Sequence, residues 1–149
     1  MIKISKRLIQ TQRGFTLIEI LVVLAIIALL ASVVTTRVTG YLAEAKIKTA
    51  KSQIKVFEQA LELYMADHDY YPTTEQGLES LIQKPSVGNI PENYPPEGYL
   101  KKQRIPMDPW GKPYIYLCED GEHFTIISYG ADKKEGGGGK GADISSGDI

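Results

Sequence analysis

The chain has a single cysteine, Cys118, so no disulfide can close within it and the fold must hold by burial, or by burial plus a metal. One cysteine in a strand-like run reads as a small core residue. Acids are missing from residues 1 to 14, where Lys3, Lys6, Arg7 and Arg13 supply four positive charges. A net charge of -1 for the whole chain therefore leaves -5 for the remainder. That basic cluster lacks interleaved aromatic side chains and runs into an apolar stretch, which fits the cytoplasmic flank of a membrane segment rather than a nucleic-acid surface. Proline is missing from residues 15 to 71, so nothing there forbids one long helix. Also missing are a P-loop, a dinucleotide fingerprint and zinc-ligand spacing. His68, His123, Cys118 and scattered serines form no spaced catalytic motif, and no enzyme is expected. The 149 residues allow one small domain at most, because part of them cannot join a water-soluble core.

What the chain has in quantity is an apolar run. Phe15 to Val34 reads FTLIEILVVLAIIALLASVV, twenty residues with one ionisable side chain, and as a helix it spans about 30 Å, one hydrocarbon core. A secretory signal peptide has a similar basic flank, but its apolar region is shorter and is followed promptly by a small-x-small cleavage site. Ala43-Glu44-Ala45 lies beyond Arg37 and Gly40 in a stretch that continues a helical pattern, so the segment is expected to be retained. Its one charge is Glu19. A carboxylate at the centre of a bilayer costs on the order of 3 kcal/mol and calls for a partner. Alternatively it lies near the interface and bends outward to water at little cost. The residues alone leave both readings open.

The run Arg13-Gly14-Phe15-Thr16-Leu17-Ile18-Glu19 joins a basic leader, a glycine, an aromatic residue and an acid four positions later at the head of an apolar helix. It resembles the class III signal of type IV pilins and type II pseudopilins. The resemblance implies that a prepilin peptidase cuts between Gly14 and Phe15 and methylates the new amine of Phe15. It further implies that Glu19 pairs with the α-ammonium of a neighbouring subunit in a helical homopolymer. Pairing of two desolvated ions there would set register more than stability.

Beyond the span, apolar residues recur at Val38, Tyr41, Leu42, Ala45, Ala50, Ile54, Phe57, Leu61 and Tyr64, which predicts that the helix continues with an inward stripe. Lys46, Lys48, Lys51 and Lys55, followed by Glu58, Glu62, Asp67 and Asp69, read as a mixed solvated face. Pro72 ends the helix. Thr73 with Gln76 has capping-box spacing for a second, short helix turning Leu78, Leu81 and Ile82 inward. Five prolines between 85 and 106 make a connecting loop, and two β-rich runs, 114–118 and 124–129, flank Asp120-Gly121 as a hairpin. Asp108-Pro109-Trp110-Gly111 is a tight structural turn. The domain plan is a leader at 1–14, a transmembrane or filament-core helix at 15–35, an amphipathic continuation at 36–69, and a globular head at 70–149.

YPTTEQGLESL, MDPWGKPYIY and SYGADKKEGG are similar to successive motifs of the major pseudopilin of type II secretion systems. The lone cysteine fits that family better than type IV pilins, which commonly close a C-terminal loop with a disulfide. The resemblance implies an α+β, type IV pilin-like fold, a long N-terminal helix on a small antiparallel sheet with a C-terminal loop. It implies a structural subunit of the pseudopilus, anchored once in the bacterial inner membrane with its N-terminus cytoplasmic and its head periplasmic, then moved into the periplasmic filament. Its partners would be further copies, the prepilin peptidase, the inner-membrane assembly platform and minor pseudopilins, with a cytoplasmic ATPase driving assembly. Other readings are a major type IV pilin, a minor pseudopilin, or a non-polymerising membrane-anchored binding protein.

By composition, residues 128–149 with their glycines and acids make a flexible tail. The family resemblance instead implies one calcium ion held by Asp132 and the Tyr129 carbonyl, since calcium takes carboxylate and backbone oxygens. Family members carry another acid about seven residues after that aspartate, where this chain has Gly139. Asp143 is the substitute if the alignment shifts.

Overall fold

The computed structural model describes residues 14–149, and side chains there except those of 33–38 and Lys140. The basic leader cluster, Val38 and part of the expected span fall outside those limits. The chain divides into two compact units between Gly40 and Tyr41, and one helix, α1 (Leu17–His68), supplies residues to both. In the first unit every large apolar side chain described is solvent-exposed, Phe15 at 84% and Leu17 at 81% among them. Among the described residues no helix is long and apolar enough to cross a membrane.

In the second unit α1 buries Ala50, Ile54, Phe57, Leu61 and Tyr64, with Ile47 partly covered one step earlier. Spacings of three and four put these on one face. The inward stripe therefore starts at Ile47. Tyr41 at 70% exposure, Leu42 and Ala45 lie outside it, a correction to the stripe drawn from sequence. Fully burying a side chain such as Ile54 or Leu61 contributes about 1.5–3 kcal/mol, so this face is the main tie between helix and head.

The sheet is three-stranded and antiparallel, in the order β1 (Ile115–Leu117), β2 (Thr125–Ser128), β3 (Ile144–Ser145). Tyr116 pairs with Ile126, and Ser128 with Ile144. Tyr116, Ile126 and Ile144 meet the α1 face in one core with Leu78, Leu81, Leu100 and Tyr114. The hairpin is present where the sequence placed it, with shorter strands. β3 was not expected at all, because two residues inside a glycine-rich stretch give no period to read.

Thr73 and Gln76 do exchange capping-box bonds: the Thr73 N–H donates to Gln76 Oε1 at 2.9 Å and the Gln76 N–H to Thr73 Oγ1 at 3.3 Å. They close a single turn and no α-helix follows. Gly77 adopts φ +65°, a left-handed conformation that interrupts the helical path. Only a 3₁₀ turn, Leu78–Leu81, comes after it. Leu78 and Leu81 face inward as expected, and Ile82 is half-buried. Cys118 is a buried free thiol just past β1.

Candidate functional site

Gly14 and Phe15 precede α1 in exposed, non-helical backbone. Thr16 caps the helix. Its hydroxyl accepts the Glu19 N–H at 3.3 Å, while its own N–H and hydroxyl donate to Glu19 Oε2 at 2.8 and 2.9 Å. This is a capping box, Thr-x-x-Glu, and it satisfies amides that the first helical turn leaves without intrahelical acceptors. It also favours a negative charge at the positive end of the helix dipole. Glu19 is thus held by its own chain through one oxygen, one residue past the Gly14–Phe15 bond at Thr16. The sequence reading did not notice this, although the spacing that exposed Thr73 and Gln76 is equally present at Thr16 and Glu19.

The second candidate site lies between β2 and β3. Tyr129 stands at the exit of β2 and Asp132 three residues on, in the turn that follows. Asp132 Oδ1 accepts the Lys134 N–H at 3.1 Å. Its Oδ2 lies against the glycine backbone, so closely that a methyl group on Gly137 would come within 2.5 Å of it. Asp143 Oδ2 accepts the Gly136 N–H at 2.9 Å, whereas its Oδ1 is buried with no hydrogen-bond partner. Asp132 and Asp143 therefore border the same glycine segment from its two ends. Among the described residues no three histidine, cysteine or acidic side chains gather as metal ligands. A hard cation here would rest on two carboxylates and backbone carbonyls, the donor set calcium accepts. A buried carboxylate oxygen left unpaired costs free energy, which a cation would remove.

Asp120, His123 and His68 make local contacts. Asp120 Oδ1 accepts the N–H groups of Glu122 and His123, and Asp120 Oδ2 lies 2.8 Å from His123 Nδ1. That side-chain bond first, then its charge, raises the His123 pKa above 6.5. His68 ends α1 beneath the ring of Tyr64, with Nε2 2.8 Å from the Tyr99 hydroxyl. An open groove between α1 and the 99–106 segment is lined by Val56, Leu63, Tyr99, Lys101, Lys102 and Arg104, without a histidine, cysteine or carboxylate. Lys46, Lys48 and Lys55 are exposed and Lys51 half-exposed.

Comparison with known proteins agrees with this geometry. Residues 37–147 match the family model described as type II secretion system (T2SS), protein G. Residues 9–35 match that of the prokaryotic N-terminal methylation motif. The type II secretion system core protein G of Pseudomonas aeruginosa is 46% identical over 138 residues, covering 92% of this chain and 96% of that one. The core protein G of Vibrio cholerae is 44% identical over 139 residues, covering 93% of each. The crystal structure of the major pseudopilin from the type 2 secretion system of enterohaemorrhagic Escherichia coli superposes with a TM-score of 0.63 at 34% identity, over 74% of this chain and 94% of that one.

Proposed function

From a chain that belongs to the type II secretion system protein G family, a major pseudopilin with the type IV pilin-like fold, we propose the following working cycle. It is made with residues 1–14 as a cytoplasmic leader and 15–35 as its single membrane anchor. Prepilin peptidase severs Gly14–Phe15 and methylates Phe15. The subunit then leaves the inner membrane through the assembly platform, joins minor pseudopilins and further copies of itself, and ends in the periplasmic pseudopilus. It acts there as a structural subunit and performs no reaction.

The observation that carries this reading is the exposed, Glu19-capped start of α1. Phe15 and the following apolar side chains have no cover within the first unit, so lipid or neighbouring helices must supply it. The capping box commits Glu19 Oε2 to Thr16, which leaves Oε1 to face the new ammonium of an adjacent subunit. Mass analysis of the mature N-terminus tests the cycle. N-methylated Phe15 as first residue is the expected result, and a cellular protein still beginning at Met1 would remove its basis.

The loop 128–149 is proposed to take one calcium ion through Asp132, Asp143 and the Tyr129 carbonyl. The unpaired, buried Asp143 Oδ1 supports this, as does the glycine backbone that lets Asp132 approach. The ion would neutralise two carboxylates and tie the loop's two ends together.

A further inference from the structure

Asp108, in the Asp-Pro-Trp-Gly turn, is only 4% exposed, and a carboxylate is costly to bury without a full set of donors. Both of its oxygens have donors. Oδ1 accepts the N–H groups of Trp110 at 3.0 Å and Lys112 at 2.7 Å, and Oδ2 accepts the Ser128 hydroxyl at 2.7 Å. The first two bonds shape the turn itself. The third leaves it, reaching twenty residues along the chain to a side chain that is fully buried at the end of β2.

Ser128 passes the constraint on. Its Oγ accepts the Gly130 N–H at 3.3 Å. Gly130 sits at φ +63°, and a Cβ there would come within 2.7 Å of the Ala142 carbonyl oxygen and 3.3 Å of that of Gly141. The outgoing chain at 130 is therefore pressed against the returning chain at 141–142, one residue before Asp143 and two residues before Asp132 in sequence. Across the ladder the backbone of Ser128 pairs with Ile144, so both ends of the loop start at this one residue, and its hydroxyl holds the outgoing end.

We infer that Asp108 and Ser128 are positioning residues for the loop 129–143. The buried carboxylate orients the Ser128 hydroxyl, the hydroxyl fixes the Gly130 N–H, and the glycine holds the two acid-bearing segments together before any ion arrives. For cation binding this rests on the calcium reading above. An arrangement fixed beforehand spares the ordering cost that a loose glycine loop would meet on binding.

The test uses the full mature chain in detergent, with calcium chloride as probe. Ser128→Ala deletes the relay and leaves both turn-forming bonds of Asp108 in place; Asp108→Asn is the second variant. Titration calorimetry should show calcium affinity lowered between about 10- and 100-fold in each, the usual range for groups that orient metal ligands. The double variant should lose no more than either single one. A pair that served stability alone would lower the melting midpoint in chelator while leaving calcium affinity untouched, and that result overturns the inference. If the wild-type chain takes up no calcium, the calcium reading falls, and hydrogen exchange in chelator decides the positioning role. Faster exchange across 129–143 in Ser128→Ala, with β1 and β2 still protected, supports it; unchanged exchange overturns it.

Discussion

Asp143→Ala separates the two tasks its carboxylate can have. In chelator the substitution loses one bond, from the Gly136 N–H to Oδ2, at about 1.5 kcal/mol for a bond to a charged group. It also removes the buried, unpartnered Oδ1, whose desolvation costs about 1–3 kcal/mol. The two nearly cancel, so the calcium-free variant should melt within about 1 kcal/mol of wild type. With calcium at one hundred times the dissociation constant, the wild-type chain should gain about 2.7 kcal/mol. For a head of roughly this size that raises the midpoint by about 10 °C. Asp143→Ala should show only a small part of that rise. Scanning calorimetry of the mature chain in detergent, with calcium and with chelator, reads all four states. A wild-type midpoint indifferent to calcium refutes the site. A variant destabilised by more than about 2 kcal/mol in chelator refutes the cancellation, because Asp143 would then be holding the fold without an ion.

Glu19→Ala should still be cleaved after Gly14, as shown by N-terminal mass, while the yield of sheared filaments collapses; normal filaments would refute its docking role. Tyr64→Phe removes a buried hydroxyl that makes no well-formed hydrogen bond and whose nearby candidate is Tyr70, so the midpoint should hold or rise by up to about 1 kcal/mol in equivalent stability, and a loss above about 1 kcal/mol would show that the Tyr70 contact is a working bond. His123 should titrate above 6.5 by NMR, because bonding to Asp120 raises it, and Asp120→Asn should return it toward 6.5. Since the folded value is the higher one, the stabilisation is complete below pH 6.5 and fades as pH rises through the folded pKa. A midpoint at or below 6.5 in the parent protein would contradict the assigned bond.

What the sequence disclosed depended on how far each signal extended along the chain. The α1 stripe repeats over several turns, so Ile54, Phe57, Leu61 and Tyr64 could be placed in the core by period alone. Tyr41 and Leu42 share that period yet are exposed, because period names a face and cannot say where the covering layer stops. The hairpin was readable from two β-rich runs about Asp120-Gly121. β3 was not, since Ile144–Ser145 owes its pairing to β2 and to no local preference. The Asp-Pro-Trp-Gly turn looked purely local from its residue types, and its tie to Ser128 is a contact over twenty residues that no spacing rule encodes. At the N-terminus the information was present and unused, for Thr16 and Glu19 have the same offset as Thr73 and Gln76.

That capping box bears on how an anchored subunit can move into a filament. Acyl chains are about as apolar as leucine, so exchanging lipid for neighbouring helices changes little for Leu21, Val22 or Ile26. Apolar cover is offered equally by both environments, and the choice between them falls on the polar groups. Thr16 already meets part of the need of Glu19 within its own chain, which, on the proposed anchoring, would lower the cost of keeping the carboxylate in the bilayer before assembly. In the proposed cycle the unmet part, one carboxylate oxygen and the ammonium that cleavage would create at Phe15, would be satisfied when a neighbour arrives in a single axial register. A residue too well satisfied at home would give the filament no preference over lipid, and an unsatisfied one would resist insertion. Thr16→Ala should thus impair the waiting state more than the filament, and the measurable sign is a lower membrane-resident pool of cleaved subunit with polymerised subunits still paired through Glu19.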